Sequence, residues 1–216
     1  MMIITEGTIG VGKSTLAKLL GEHFGTDVFF EKVEGNEILP LFYTMTEEEL
    51  LKERIPFLLQ LDFLDSRFKM IKEALINDNN VLDRSIYADM MFAECNNKLG
   101  RISDRELKIY KNLAQNMMEE LKELPKKSPD LLIYLTADFE VIMNRVFNRG
   151  RDFEVDEDLV DYYRMIWESY QEWIKNYKYS PVLIINTNNL NLVDNEEDKK
   201  YVIKLIEDKL LEVRGR

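Results

Sequence analysis

The first residues with clear chemical potential form a glycine-rich loop near the start of the chain. The loop matches the pattern G-x-x-x-x-G-K-[ST] and consists of Gly7, Thr8, Ile9, Gly10, Val11, Gly12, Lys13, Ser14 and Thr15. Glycines allow backbone N–H groups to close around phosphate oxygens, and the N-terminus of a following helix adds partial positive charge. Lys13 would reach the β and γ phosphates of a nucleotide, and Ser14 would offer a hydroxyl to Mg²⁺. Because an apolar strand precedes the loop and an amphipathic helix follows it, we interpret it as a phosphate-binding site rather than a chance glycine turn.

A cluster of arginines later in the chain offers positive charge for a phosphoryl group in transfer. Arg145, Arg149 and Arg151 lie within seven residues of one another. Arg145 and Arg149 are four residues apart and share a helix face, while Gly150 offers a hinge at the helix end. This spacing predicts a lid over about residues 145–154 that closes on phosphates. The alternative is that the arginines only complement the dipole of a helix C-terminus.

Three charged residues follow the second and third predicted strands. Glu31 comes after the second strand, and Asp83 and Arg84 come at the end of the third. The carboxyl ends of strands in an open α/β sheet face the ligand crevice, so Glu31 is a candidate base for an acceptor hydroxyl. Asp83 would bind Mg²⁺ through water, and Arg84 would hold phosphate or pair with Glu31. Taken without the phosphate loop, the same residues would be a solvated glutamate and an ordinary ion-pair loop.

A further set of side chains suits a planar heterocyclic ligand. Gln60 and Arg67 are two turns apart on one face of a predicted helix, and Asp89 and Phe92 are three residues apart on another. The first three side chains donate and accept hydrogen bonds, and Phe92 offers a stacking surface. Spacing alone favours the alternative, which is a core phenylalanine beside surface ion pairs.

These residues need a scaffold, and short apolar runs alternate with stretches of helical period along the whole chain. The runs predict strands at Met2–Thr5, Val28–Phe30, Val81–Leu82, Leu131–Leu135 and Val182–Ile185. The pattern is typical of a five-stranded parallel sheet with helices on both faces. Thr46–Ile76 is predicted as one long helix, capped at Thr46 and kinked at Pro56. No linker divides the chain, so we expect one α/β domain over residues 1–216.

The aromatic residues near the predicted helix 156–177 are assigned to the core or to a subunit contact rather than to a ligand site. They are Tyr162, Tyr163, Trp167, Tyr170 and Trp173.

Composition limits the class of partner. The chain has 40 acidic residues against 29 Lys and Arg, a net charge of -11 and one cysteine. An acidic surface repels nucleic-acid backbones and anionic lipids, so we expect neither a nucleic-acid polymer nor a membrane as partner. With no secretory signal, no apolar run long enough to span a membrane and no possible intrachain disulfide, we expect a cytoplasmic protein.

Together these residues resemble the deoxynucleoside kinase family, with landmarks in order from Gly7 to about Glu154. The resemblance implies a P-loop kinase fold and ATP-dependent phosphorylation of a deoxynucleoside at its 5′-hydroxyl, with Mg²⁺ as cofactor. It further implies roles for particular residues: Glu31 as general base, Arg84 at the 5′ end, Asp83 near magnesium, Arg145, Arg149 and Arg151 in the lid, Glu154 with Tyr43 at the sugar 3′-hydroxyl, and Gln60, Arg67, Asp89 and Phe92 at the base.

The resemblance also bears on the substrate and the assembly. The presence of both Arg67 and Asp89 resembles the purine and deoxycytidine branch, so deoxyadenosine or deoxyguanosine is favoured and deoxycytidine is possible. Family members are usually homodimers through long helices. Lys32 stands where the family usually has proline, and the interval from Tyr43 to Gln60 is longer than usual.

Two other functions remain as alternatives. A nucleoside monophosphate kinase such as thymidylate kinase shares the loop, the lid and an Asp-Arg motif, but needs more basic residues for its acceptor than Lys32 supplies. A non-catalytic nucleotide switch of the GTPase type would need Asn-Lys-x-Asp after a late strand, and residues 186–189 read Asn-Thr-Asn-Asn.

Overall fold

The central feature of the computed structural model is a parallel sheet of five strands. The structure describes residues 1–31, 33, 35–77, 79–123, 129–150 and 159–215, with the backbone alone for 121–123. The strands are β1 (Met2–Glu6), β2 (Asp27–Phe29), β3 (Asn80–Asp83), β4 (Leu131–Thr136) and β5 (Val182–Asn186). Their order in the sheet is β2-β3-β1-β4-β5, and every pair is parallel. The five-stranded parallel sheet predicted from the sequence is confirmed, and no strand end differs from its predicted position by more than one residue.

Helices connect the strands and cover the sheet. They are α1 (Lys13–Phe24), α2 (Leu39–Thr44), α3 (Glu47–Lys52), α4 (Ile55–Ala74), α5 (Asp89–Lys98), α6 (Asp104–Glu123), α7 (Phe139–Arg149), α8 (Val160–Asn176) and α9 (Glu196–Arg214). None of the helices in the described part of the chain combines the length and the apolar character needed to cross a membrane.

The core lies on both faces of the sheet because neighbouring strand residues point in opposite directions. Ile4, Leu82 and Leu132 pack into one hydrophobic cluster with α4, α5, α6 and α8. Ile3 and Val81 pack into a second cluster with α1, α7 and α9. β1, β3 and nearly all of β4 are buried, and strands buried on both faces read as continuous apolar runs in the sequence.

The predicted helix Thr46–Ile76 is wrong as a single element. Thr46 does cap a helix, with its side chain and that of Glu49 forming a capping box, but α3 ends at Lys52. Arg54 then adopts a left-handed conformation with φ of 56°, and Pro56 lies in the first turn of α4. Proline is well suited to that position because it has no backbone N–H, and a backbone N–H in the first turn would have no partner within the helix in any case. Pro56 therefore helps to begin a second helix instead of kinking one.

The loop between β1 and α1 passes close to β4. Gly7 has φ of 141°, and a Cβ atom placed there would lie 2.3 Å from the carbonyl oxygen of Leu135. A side chain at this position would meet both an unfavourable backbone conformation and a backbone atom that belongs to the central sheet.

We expect Gly7→Ala to lower the free energy of unfolding by about 2 to 4 kcal/mol, because strain and the clash with Leu135 add together. Denaturant unfolding of the two proteins measures the difference. Gly100→Ala is the matched control: Gly100 also has a positive φ, 74°, but its Cβ would meet no atom within 4 Å. Equal losses in the two variants would show that the approach to Leu135 is unimportant.

Candidate active site

The glycine-rich loop connects the end of β1 directly to the first turn of α1. Gly12 precedes the helix with φ of 103°, and Lys13 is its first residue. The Lys13 Nζ donates a hydrogen bond to the carbonyl oxygen of Thr8 at 2.9 Å, and only 8% of the residue is exposed. Burial, with a further contribution from Arg84, lowers the pKa of Lys13 to about 8. An anion beside this amine would favour its charged form, as expected for a phosphate-binding lysine.

Ser14 and Asp83 are joined in the same crevice. The Ser14 Oγ donates a hydrogen bond to Oδ2 of Asp83, the last residue of β3. The other carboxylate oxygen of Asp83 is buried and has no hydrogen-bond partner among the described residues. Burial raises the pKa of Asp83, although Lys13 and the Ser14 hydrogen bond oppose that change. The structure thus brings together the two residues that the sequence predicts at a magnesium site.

Glu31 lies between two arginine side chains. Arg67 of α4 donates a hydrogen bond to Glu31 Oε1, and the Nε atom of Arg84 forms an ion pair with Oε2 at 3.1 Å. The Glu31 side chain is only 16% exposed. Burial alone would raise the pKa of Glu31, but Arg84, Arg67 and Lys13 together hold it below its ordinary value. The carboxyl group is therefore ionised throughout the neutral range and is positioned by both of its oxygens.

Asp89 stands behind Arg67 instead of lining the cavity. The Arg67 NH1 atom pairs with Asp89 Oδ1, and both side chains are almost fully buried. Burial raises the pKa of Asp89 to about 6, against the opposing effect of Arg67. Because one guanidinium contacts both Asp89 and Glu31, it links α4 to α5 and to the end of β2. The Arg67 Nε atom is buried, and within the described part of the chain it has no hydrogen-bond partner.

A cavity of about 530 Å³, a size typical of small-molecule sites, lies beside these groups. The charged and polar residues described above that line it are Lys13, Ser14, Glu31, Arg67, Asp83 and Arg84. Phe92, Gln60 and Tyr43, all singled out in the sequence, line it. The guanidinium carbon of Arg84 lies over the Phe92 ring, 5.0 Å from its centre. The lining also includes Phe30, Val33, Leu39, Phe42, Leu59, Phe63, Tyr162, Tyr163 and Ile166. The cavity thus combines an apolar wall with a few fixed polar groups.

A second cavity of about 910 Å³ adjoins the first. It is lined by the loop from Gly10 to Thr15, by α7 and by the segment from Thr187 to Asp194 that follows β5. Four residues line both cavities: Gly10, Lys13, Ser14 and Arg149. The phosphate loop therefore forms the boundary between two ligand-sized spaces.

The predicted lid is only partly described. Arg149 faces both cavities, whereas Arg151 and Glu154 lie outside the described residues. The Arg145 guanidinium donates hydrogen bonds to Thr187 Oγ1 at 2.9 Å, to the Thr187 carbonyl at 2.6 Å and to the Leu190 carbonyl at 3.3 Å. Arg145 thus lines the second cavity while its hydrogen bonds brace the segment after β5, which spacing on one helix did not reveal.

Sequence reasoning also missed part of the wall of the first cavity. Tyr162 and Tyr163 of α8 were assigned to the core or a subunit contact, and both line the cavity as well as packing into hydrophobic clusters. The other aromatic residues of α8 fit the core assignment: Tyr170 is fully buried, and the Trp173 indole donates to the Tyr87 carbonyl at 3.0 Å. The sequence did offer one signal for Tyr162 and Tyr163: α8 follows the predicted lid directly, so the first turn of α8 is expected at the ligand edge of the sheet.

Comparison with known proteins agrees with this geometry. Residues 3–212 match the family model described as deoxynucleoside kinase. A deoxyguanosine kinase of Lactobacillus johnsonii is 41% identical over 98% of this chain and 93% of its own length. A deoxyadenosine kinase of Lactobacillus acidophilus is 40% identical over 98% of this chain and 97% of its own length.

A solved structure shows the same fold. The deoxyadenosine kinase from M. mycoides with bound dATP has a TM-score of 0.77 and 26% identity, and the match covers 97% of this chain and 99% of that one. The resemblance inferred from the sequence is confirmed, as is the P-loop kinase fold, and the monophosphate kinase alternative is not favoured. The chain belongs to the deoxynucleoside kinase family and is an ATP-dependent kinase of deoxynucleosides.

Proposed function

We propose that this enzyme binds a purine deoxynucleoside in the cavity beside Glu31 and transfers to its 5′-hydroxyl the terminal phosphoryl group of ATP bound in the second cavity. The single observation that carries the proposal is the boundary between the two cavities. Lys13, Ser14 and Arg149 face both spaces, so a phosphoryl group between donor and acceptor would meet two cations there. Transfer of this kind depends chiefly on positioning and on neutralising charge.

Glu31 is the proposed general base. Its carboxylate lines the first cavity and stays ionised because Arg84 and Arg67 lower its pKa. Such a carboxylate is a weak base for a hydroxyl, so its contribution is to orient the 5′-hydroxyl and to accept its proton as the bond to phosphorus forms. Arg84, beside it, would neutralise charge that develops on the transferred group.

The proposed base site is the part of the first cavity that Gln60, Arg67 and Phe92 line. Gln60 and Arg67 would hydrogen-bond to the edge of the base, Phe92 would stack on its face, and Asp89 would fix Arg67 from behind. Tyr43 lines the cavity where it would approach the sugar, with Glu154 as its proposed partner. Relatives named deoxyguanosine and deoxyadenosine kinases, at 41% and 40% identity, support a purine preference. A 35% identical deoxyadenosine/deoxycytidine kinase from Bacillus subtilis keeps deoxycytidine as a further candidate.

Mg²⁺ is the proposed cofactor, and the side chains at the loop fit it. Magnesium prefers oxygen ligands and is usually held by one or two side chains together with substrate phosphates. Ser14 supplies a hydroxyl, and Asp83 supplies a buried carboxylate oxygen that has no hydrogen-bond partner. Among the described residues no group of three or more His, Cys, Asp or Glu side chains is placed to hold a metal. The ion would offset phosphate charge when bound.

We also propose a homodimer formed through α4 and α6. Ile109 and Leu113 lie one turn apart on α6 and are 58% and 37% exposed, and Leu58 of α4 is 43% exposed. The two helices contact each other. Apolar side chains left exposed on adjacent helices are the usual material of a subunit interface.

Incubation with Mg-ATP and a panel of acceptors tests the substrate class. We expect deoxyguanosine or deoxyadenosine to yield the monophosphate fastest, because the base site combines donors and acceptors with a stacking ring. Chromatography of the products measures this. Phosphorylation of nucleoside monophosphates alone would contradict the proposal, as would ATP binding without any transfer to an acceptor.

Glu31→Gln tests the base role. We expect kcat to fall by about 10²- to 10³-fold, because the amide cannot accept the proton, while the KM for the deoxynucleoside changes little. Steady-state kinetics measure both constants. Glu37→Gln is the matched control, since Glu37 is exposed six residues further on and lines neither cavity. An unchanged kcat in Glu31→Gln would remove Glu31 from the base role.

A further inference from the structure

A buried carboxylate lies outside both cavities, at the junction between the phosphate loop and the Arg84 turn. Glu6 is the last residue of β1, is 0% exposed and lines neither cavity. Its Oε1 accepts hydrogen bonds from both N and Oγ of Ser85, each at 2.8 Å. Its Oε2 accepts from the Tyr170 hydroxyl at 3.1 Å and from the Gly7 N–H at 3.3 Å. One side chain thus joins β1 to the turn after β3 and to α8.

Such a group is costly to keep in a protein interior. A buried carboxylate loses its hydration, and hydrogen bonds within the protein offset that loss only in part. Packing alone would be served as well by an apolar side chain of similar size. Glu6 contacts no cavity, so its four hydrogen bonds point to a role that acts through its neighbours.

The neighbour that needs support is Arg84. Its backbone has φ of 77°, in the left-handed region, although it is not glycine. Residues in this region persist only when the surrounding structure determines them, and they cluster at functional sites. The Arg84 N–H donates to the Thr5 carbonyl at 3.0 Å, and the next residue, Ser85, is fixed by two hydrogen bonds to Glu6. The strained residue is therefore fixed from both sides by the last two residues of β1.

The left-handed turn also sets the direction of the Arg84 side chain. From this backbone the guanidinium reaches Glu31 at 3.1 Å and lies over the Phe92 ring. A relaxed backbone with negative φ would direct the side chain elsewhere, because the Cα–Cβ bond rotates with the backbone. The alignment of Arg84 with the proposed base is thus linked to the hydrogen bonds at Ser85.

We propose that Glu6 is a positioning residue for phosphoryl transfer: through Ser85 it keeps Arg84 in the left-handed conformation that aims its guanidinium at Glu31 and the transferred group. The inference rests on the proposed function of Arg84. Glu6 itself touches neither substrate, so its removal should change the rate of transfer and leave binding of the deoxynucleoside nearly intact.

A double-mutant cycle tests the proposal. We expect Glu6→Ala to lower kcat by about 100-fold, with the deoxynucleoside KM within about threefold of wild type, since small displacements of catalytic groups have effects of this order. In an Arg84→Ala background the same Glu6→Ala change should lower kcat by no more than about threefold, because the side chain through which it acts is gone. Alanine has the same preference for negative φ as arginine, so the backbone strain at position 84 remains in that background.

Two further variants separate positioning from stability. Glu6→Gln keeps an oxygen for both Ser85 donors and places an amide beside the Tyr170 oxygen. It loses the 3.3 Å hydrogen bond from the Gly7 N–H but keeps both bonds to Ser85, so we expect kcat within about fivefold of wild type. Tyr170→Phe removes a hydrogen bond to the same carboxylate without affecting Ser85, so it should lower the thermal midpoint and leave kcat within about twofold of wild type. If Glu6→Ala does not fold, Ser85→Ala replaces it in the cycle, with an expected loss of about tenfold that disappears in the Arg84→Ala background.

Two results would overturn the inference. One is a kcat for Glu6→Ala, or for Ser85→Ala in its place, that equals the wild-type value. The other is a loss that is as large in the Arg84→Ala background as in wild type, which would mean that Glu6 acts independently of Arg84. The wild-type enzyme in the same assay tests the proposed function by itself. If the wild-type enzyme phosphorylates no deoxynucleoside, the proposed function is wrong, and the inference about Glu6, which rests on it, is wrong as well.

Discussion

The carboxylate of Glu31 lies between the guanidinium groups of Arg67 and Arg84 at the carboxyl edge of the sheet. A carboxylate that is 84% removed from solvent needs compensating cations, because the protein interior solvates charge poorly. Those cations come from α4 and from the turn after β3, so the end of β2, the middle of α4 and the end of β3 must meet at one point. The architecture around the first cavity follows from this requirement.

The same cations serve the ligands. Arg67 extends from Glu31 to the proposed base site, and its NH1 atom forms an ion pair with Asp89. Arg84 lies near the phosphate loop. Burial is the main cause that lowers the pKa of Lys13, and the positive charge of Arg84 lowers it further. A phosphate at the loop would relieve the repulsion between Lys13 and Arg84, so the free enzyme is electrostatically prepared for an anion at the boundary of the two cavities. The overall charge of -11 thus coexists with a cluster of three cations: Lys13 at the start of α1, Arg67 in the middle of α4 and Arg84 after β3.

Local sequence was sufficient for the parts of the site that lie on one element or at a strand end. The phosphate loop followed from its own sequence motif. The placement of Glu31, Asp83 and Arg84 in one crevice followed from the rule that strand ends converge in a parallel sheet. The break before α4 was missed because the left-handed conformation of Arg54 has no signal in a residue that prefers helix. The hydrogen bonds of Arg145 to Thr187, and those of Glu6 to Ser85, join segments far apart in sequence, and only the fold brings them together. The sequence grouped Asp89 with Arg67, and the structure joins the two in an ion pair, but the position of Asp89 behind the cavity wall depends on the packing of α5 against α4.

The pKa of the Glu31 carboxyl, measured from its carbon-13 chemical shift as a function of pH, shows whether the two arginines outweigh the cost of burying this carboxylate. Because the folded-state pKa is depressed, the ion-paired arrangement contributes stability above the unfolded value and loses that contribution as pH falls through the folded value. We predict an inflection below the ordinary glutamate value of about 4.3, because the arginines lower the pKa of Glu31, and a higher inflection in Arg84→Gln, where one compensating cation is absent. An inflection at or above the ordinary value in the wild-type protein would show that the two arginines do not outweigh the cost of burying Glu31.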